Sequence, residues 1–417
     1  MTTMFLDALP STVAGENTIA LPIRKLDSPD FDHLGFDCYK TSHFYLDCHI
    51  TSSDAQPENR WPERCLSIGY EEYYSESYDE SSWRSVESSS IIPLRNLSLH
   101  PATCVLHYGP SVFEGTKAFV SHKNRIVLFR PEANGARLIK SAARLLLPKF
   151  PVKRFVPAVA ATAIANRKFI PPYQAEHWHW KTRNPRCLYL RPILIGHGPQ
   201  LGVRPAMDHI FFIYSSPVRA YYPVEGVRVL ITTAFHRAAP GGTGSAKSAS
   251  NYVPGLLPTQ LARRGFDWLE GKPIKVSETP FHDVLYLDPA ENRFIEEFSG
   301  ANFMAVSTAG TLVCPDSETI LPGVTRESVL TLAADMGMTI EKRRLSVDEL
   351  MDEKRIAEAF CTGNAAVITP IVHIRHRDQV RTFDIEKAVV AKRLWDVLVG
   401  IQLQTRDDPY GWVKEIA

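Results

Sequence analysis

Cysteine is too sparse and scattered in this sequence to organise a fold. The seven residues (Cys38, Cys48, Cys65, Cys104, Cys187, Cys314, Cys361) are odd in number and never spaced as CxxC, so neither a disulfide framework nor a zinc site is indicated. An excess of charge is missing as well. Lysine plus arginine total 47 against 46 aspartate plus glutamate; this gives no basic field for nucleic acid and no acidic tail, and points to a small-molecule partner. No apolar run approaches membrane-spanning length, so no membrane partner is expected. The first basic residue is Arg24, preceded by Asp7 and Glu16, so neither a secretory leader nor an arginine-rich transit peptide is expected and a cytoplasmic location is the default.

With 417 residues, 44% of them apolar, the chain exceeds what one core usually supports, and two domains are expected. Residues 1–35 lack periodicity and are expected to be an extension, and Glu71 to Ser90 is a polar, serine- and tyrosine-rich surface insertion. Order begins near Ile91. Thr116 to Val120 and Ile126 to Phe129 have strand patterns, and Pro131 to Leu147 has helical spacing with Leu138, Ala142 and Leu145 on one face. Arg137 and Arg144 share that helix, where arginines are mostly solvated or paired. Leu188 to Ile195 is a near-continuous apolar strand in which Tyr189 and Arg191 share a face. An arginine there requires an anion, either a protein carboxylate or a substrate. His177-Trp178-His179-Trp180 lacks a third ligand at metal spacing and is expected to be a loop with two exposed histidines. Gly196 to Gly202 resembles GxGxxG with one residue too many. Ser215 to Gly226 has the proline and glycine content of a linker, so the expected division is a small α/β domain over 36–214, a connecting loop at 215–226 and a large domain over 227–417.

The second half is organised around Gly241 to Tyr252 (GGTGSAKSASNY), in which Lys247 is the only charged residue. Three readings of this loop stand side by side. It comes within one residue of GxxxxGK[ST], although Ala246 occupies a glycine position and Pro254 opposes an early helix turn. It also suits a Schiff-base lysine, whose amine must lose a proton before attacking a carbonyl. A plain solvated lysine is the third. Further on, hairpins turn at Pro289 to Asn292 and at Ala309-Gly310. Glu296 and Glu297 are adjacent on a strand, so only one can point inward. Leu321 to Thr325 precedes a helical pattern, with Thr325 as N-cap and free backbone N–H groups for an anion. Cys361 to Ala366 is a small-residue turn able to present more such groups.

Taken together, these stretches resemble the branched-chain-amino-acid aminotransferases of the fold-type IV pyridoxal phosphate enzymes. The likeness rests on Asn96 to Phe119, Tyr189 to Gly196, the lysine loop through Asn251-Tyr252, Glu297 with Asn302, Leu321 to Arg326 and Thr362 to Pro370. It implies an α+β chain with a smaller N-terminal and a larger C-terminal domain, pyridoxal 5'-phosphate between them, and a homodimer. By the resemblance, Lys247 bonds the cofactor and moves the proton at the substrate Cα. Glu297 faces the pyridine nitrogen and Tyr252 the phenolic oxygen. Arg137, the N–H groups of Val324 and Thr325, and the turn at Asn364 meet the phosphate. Phe113, Tyr189 and Tyr221 form the apolar pocket, Ala365 and Ala366 receive the α-carboxylate, and Arg191 holds the distal carboxylate of glutamate or 2-oxoglutarate. Tyr108 and Val203 reach in from the partner subunit. Asn364 stands where the family commonly has threonine, and Ser248-Ala249-Ser250 replaces a glycine-containing run.

The expected activity is amino-group exchange between leucine, isoleucine or valine and 2-oxoglutarate. A D-amino-acid or amine transaminase, a lyase of the same fold, a P-loop phosphotransferase and an inactive binding protein are the alternatives.

Overall fold

The structure is a computed structural model describing residues 28–50, 83–85 and 89–417. Most of the expected extension and insertion lies outside the described residues.

The N-terminal half builds one antiparallel sheet. Its strands are β1 (His43–Ile50), β2 (Trp83–Ser85), β3 (Ile91–Pro93), β4 (Ser111–Phe113), β5 (Thr116–Val120), β6 (Ile126–Phe129), β7 (Cys187–His197) and β8 (Asp208–Val218). The order is β2-β1-β8-β7-β5-β6, with β3 beside β1, β4 beside β7, and the C-terminal strand Val413–Glu415 at the far edge beside β6. Around it lie helices α1 (Cys104–Tyr108), α2 (Pro131–Arg144) and α3 (Val152–Ala165).

The near-continuous apolar run of β7 is explained by burial on both faces. Leu188, Leu190 and Leu194 join Leu138, Phe155 and Val159 in a core shared with α2 and α3. Cys187 and Tyr189, on the alternate face, join Met304, Phe360 and Trp395 of the second half. Trp178 and Trp180 are buried in this same core. The expected histidine loop is therefore corrected: of its two histidines only His179 is exposed, while His177 is half-buried, because the intervening tryptophans pin the segment down. Among the described residues no cluster of potential metal ligands forms.

The second half contains β9 (Val227–Ile231), β10 (Phe266–Leu269), β11 (Lys272–Lys275), β12 (Asp283–Leu287), β13 (Ile295–Phe298), β14 (Asn302–Ser307), β15 (Leu312–Cys314), β16 (Ile340–Lys342), β17 (Ile356–Gly363), β18 (Val367–His376) and β19 (Gln379–Thr382). With them come helices α4 (Leu256–Ala262), α5 (Val324–Asp335), α6 (Val347–Met351) and α7 (Val389–Gln402). The strand order is β13-β12-β9-β18-β17-β14-β15-β16, and β13 pairs again with β14. That extra pairing joins the first strand of the path to the sixth and closes a ring whose interior is filled by Val229, Leu285, Phe303, Ala359 and Ile371. Both expected hairpins form, with left-handed residues Asn292 (φ 55°) and Gly310 (φ 82°) at their turns.

Order does not wait for Ile91: β1 pairs with β8, and Trp83, inside the expected surface insertion, is buried in β2 against Phe150, because its large ring fills the first core. Two further boundaries differ from the pattern. The strand β8 runs to Val218, past the expected start of the connector, since Ser215 and Ser216 still pair with β7. The helix α2 stops at Arg144 because Leu146 turns left-handed (φ 57°). Among the described residues no helix is long and apolar enough to cross a membrane.

Candidate active site

The helix α2 starts with proline at its first turn, where a missing N–H costs nothing, and one of its faces is turned toward the lysine loop. Arg137, Ser141 and Arg144 follow at helical spacing. Ser141 Oγ accepts the Lys247 backbone N–H at 2.8 Å, and Arg144 donates to the carbonyl of Gly241 at 2.8 Å. The loop is also held from within. The Asn251 side-chain amide donates to the carbonyls of Thr243 (2.6 Å) and Ala246 (2.7 Å). Gly244 has no substitute here, since a Cβ on it would stand 2.4 Å from the Thr319 carbonyl oxygen. Finally, the Phe113 N–H donates to the Lys247 carbonyl at 3.0 Å, stitching β4 to the loop.

With its backbone fixed, Lys247 directs its amine to the Tyr252 hydroxyl, Nζ to Oη 2.8 Å, and the amine lies 4.8 Å from the centre of the Phe113 ring. Among the described residues it is the one lysine lining a cleft whose walls include Arg137, Tyr189, Tyr252, Glu297, Val324, Thr325, Asn364 and Ala365. Much of the remaining lining is glycine and alanine (Gly115, Gly244, Ala246, Gly300, Ala301, Gly363). A Cβ on Gly115 would sit 1.8 Å from Tyr189 Oη, and one on Gly323 1.9 Å from Asn302 Oδ1.

Glu297 is 4% exposed. It receives Arg237 at 2.9 Å, the Asn302 amide at 2.6 Å and the Leu321 N–H at 3.0 Å. Burial raises its pKa, and Arg237 beside it opposes that rise. Glu296, its neighbour, is buried too but faces away, accepting from the Thr319 hydroxyl. Arg137 is clamped by Glu114, Nε to Oε1 and Nη2 to Oε2 both 2.8 Å, and its Nη1 donates to the Pro322 carbonyl at 3.2 Å. Burial works against its charge, but Glu114 more than offsets this and the pKa is raised. Of its five N–H donors, one on each terminal nitrogen stays available.

The helix N-cap is Gly323 rather than the expected Thr325, because the backbone is already helical at Val324. The N–H groups of Val324 and Thr325 thus lie in the first turn, without intrahelical acceptors. The Asn364 side chain, in the β17–β18 turn, donates to the Gly115 carbonyl. Ala366 is buried beside it, and its carbonyl takes the Thr369 hydroxyl at 2.8 Å.

Phe113, Arg191 and Tyr221 do not line the cleft itself but extend one wall. Arg191 has no carboxylate partner among the described residues; its guanidinium lies 4.8 Å over Phe113 and 5.3 Å over Tyr189, and its buried Nε has no acceptor. Of the two expected partners, the protein carboxylate is not found among the described residues, and the Tyr189 side chain faces the guanidinium instead. Tyr108 and Val203 are exposed (42% and 83%) and away from the cleft of their own chain.

Sequence reasoning missed Arg237, Glu114, Ser141 and Phe36, whose ring stands 5.3 Å from Tyr189 and 5.0 Å from Tyr221. Only Ser141 carried a signal, its four-residue step from Arg137.

The set has a defined chemical shape. A lysine amine next to a phenol, a buried carboxylate in the same cleft, and a cation with a helix N-terminus suit a flat heteroaromatic carbonyl compound bearing a phosphate. The unpaired buried Nε of Arg237 and the glycine-lined walls leave room and polarity for such a group. A P-loop does not fit, since the Lys247 amine is directed to Tyr252 and no helix begins at the lysine; a short 3-10 turn over Ala249–Gly255 follows instead.

The comparisons agree with this shape. A family model described as amino-transferase class IV matches residues 111–374. A branched-chain-amino-acid aminotransferase of Mycolicibacterium smegmatis is 36% identical over 362 residues, 84% of this chain and 92% of that protein. One from Helicobacter pylori is 37% identical over 344 residues, 82% and 92% respectively. Among solved structures, the Escherichia coli branched-chain amino acid aminotransferase superposes with TM-score 0.64 at 26% identity, covering 78% of this chain and 97% of its own. The T.th. branched-chain amino acid aminotransferase with pyridoxamine 5'-phosphate gives 0.63 at 26%, covering 79% and 97%.

The Arg137–Glu114 pair yields a stability prediction. Glu114→Ala strands a buried guanidinium and should lower unfolding free energy by about 3–5 kcal/mol. Chemical denaturation measures this, and a loss under about 1 kcal/mol would mean the guanidinium finds water or another acceptor.

Proposed function

This chain belongs to the class IV aminotransferases, and from that membership we propose that it moves the amino group between leucine, isoleucine or valine and 2-oxoglutarate with pyridoxal 5'-phosphate as cofactor. The observation that carries the reading is the Lys247 amine at the Tyr252 hydroxyl, in one cleft with the buried Glu297 and the first turn of α5. When bound, the cofactor supplies an electron sink for the carbanion left after the substrate Cα loses its proton.

The protein's own groups do the rest. Lys247 would be the base that moves the proton between the substrate Cα and C4′ of the cofactor, in opposite directions in the two half-reactions. Tyr252 orients the amine through their shared hydrogen bond. Glu297 presents a carboxylate that favours a protonated ring nitrogen, and Arg237 helps to keep it ionised against burial. Arg137 and the N–H groups of Val324 and Thr325 hold the phosphate, with Asn364 fixing the adjoining turn. Phe113, Tyr189 and Tyr221 receive the branched side chain, while Ala365 and Ala366 place small residues and backbone N–H groups at the α-carboxylate. Arg191 serves the distal carboxylate of the second substrate: resting on two rings with no carboxylate to leave, it can turn toward an anion or stay stacked beside an apolar side chain.

The proposed assembly is a homodimer in which Tyr108 and Val203 complete the partner's pocket. Leu106, Leu201 and Val203 are 60%, 91% and 83% exposed, and Tyr108 Oη bonds to the Leu201 carbonyl, so the apolar group is one surface. A division into domains on either side of the connector and a cytoplasmic location are parts of the same reading.

Purified protein should show the visible absorbance of the bound cofactor, shifting on addition of leucine. Lys247→Ala should abolish both half-reactions; leucine turnover near the wild-type rate would remove Lys247 from the mechanism.

The charge on Arg191 gives a selective prediction. Arg191→Met should slow the glutamate half-reaction by roughly 100-fold, as expected for a lost charge-assisted pair, and the leucine half-reaction far less. Stopped-flow measurement of both on one preparation decides it, and equal losses would make Arg191 structural.

A further inference from the structure

Asp283 opens β12 and does not line the cleft, yet it is only 3% exposed. One of its oxygens accepts the Tyr222 hydroxyl at 2.6 Å and the other the Val284 N–H at 2.8 Å. Burial raises the Asp283 carboxyl above the ordinary range, and the Tyr222 bond opposes the rise. Burial, with Asp283 nearby, pushes the Tyr222 hydroxyl well up. Separating the two would leave the buried Tyr222 hydroxyl without its acceptor, while Asp283 would keep the Val284 N–H, so the bond holds the Tyr222 side chain in place.

Tyr222 lies on the connector between the two sheets, next to Tyr221, and the contacts continue from ring to ring. Tyr222 meets Tyr221 edge-on at 4.7 Å, Tyr221 meets Phe36 at 5.0 Å, and Phe36 meets Tyr189 at 5.3 Å. Arg191 then lies over Tyr189 and Phe113, and Phe113 lies under the Lys247 amine. An unbroken line of side chains therefore runs from the Asp283 carboxylate to the reactive lysine. Tyr221 itself is 40% exposed; its ring rests between Tyr222 and Phe36, and Arg263 lies beside its hydroxyl.

We infer that Asp283 is a positioning residue for the substrate pocket: through Tyr222 it fixes Tyr221, and with it the apolar wall that receives the substrate side chain, without touching substrate or cofactor. The inference rests on the reading of the cleft given above. It separates binding of the side chain from the chemistry at Lys247, since the reactive amine, Glu297 and the phosphate-binding groups are all held by other contacts.

The test compares Tyr222→Phe, Asp283→Ala and Asp283→Asn with the wild type, using leucine as substrate and the visible absorbance of the bound cofactor as a second readout. Tyr222→Phe and Asp283→Ala should raise KM for leucine about tenfold while kcat stays within about threefold, and cofactor content should not change. Asp283→Asn keeps an acceptor for the Tyr222 hydroxyl and should recover most of the wild-type KM. If Asp283→Ala fails to fold, Tyr222→Phe, which removes one oxygen and keeps the ring, decides alone. Unchanged KM in Tyr222→Phe, a fall confined to kcat, or loss of cofactor would each overturn the anchor role while leaving an active wild type and its assignment intact. A wild type inactive on leucine would overturn the reading of the cleft and the anchor role with it.

Discussion

A carboxylate can remain 4% exposed only where donors are fixed around it, and in this chain the fixing of Glu297 and the closing of the second sheet are one event. Glu297 opposite Asn302 is the register pair that joins β13 to β14 and completes the ring of strands. Asn302 then donates its side-chain amide to the same carboxylate, while Arg237 and the Leu321 N–H supply the other donors. Shifting either strand by one residue would turn the glutamate away from all three.

From that seam the cleft is assembled by elements that meet there for separate reasons. The segment after Leu321 leads into α5, whose first-turn residues Val324 and Thr325 line the cleft and whose cap is a glycine with no room for a side chain. The lysine loop is drawn in from the other sheet by Ser141, Arg144 and Phe113. The site therefore depends on contacts across the two sheets, and the core containing Tyr189, Met304, Phe360 and Trp395 is what keeps them together. Charges are balanced in place: Arg137 against Glu114, Arg237 against Glu297. Each of these buried ions has its counter-ion, which keeps the desolvation cost tolerable.

Much of this was legible in the sequence where a residue's role is local. The hairpin turns, the alternation in β7 and the isolation of Lys247 among small residues follow from period and composition. The likeness to a family then placed Glu297, Tyr252 and Arg137 in the cleft that the structure shows. What the sequence did not disclose are the partners that act across the fold. Glu114 reaches Arg137 from another element, Arg237 reaches Glu297 from beyond a strand end, and Phe36 comes from the start of the described chain. No spacing rule links such residues. The tryptophans of the His177 to Trp180 segment were hidden for the related reason that their core is made by α7 and β5.

The central claim is that one of two adjacent buried glutamates works on the cofactor and the other does not. The decisive measurement is kcat for leucine in Glu297→Gln beside Glu296→Gln, with cofactor content and folding checked in both. The account predicts a loss of about 100-fold or more for Glu297→Gln, as when a charge-stabilising group is removed from an active site, and a small change for Glu296→Gln, whose carboxylate faces Thr319. Equal losses, or the larger loss at Glu296, would contradict it.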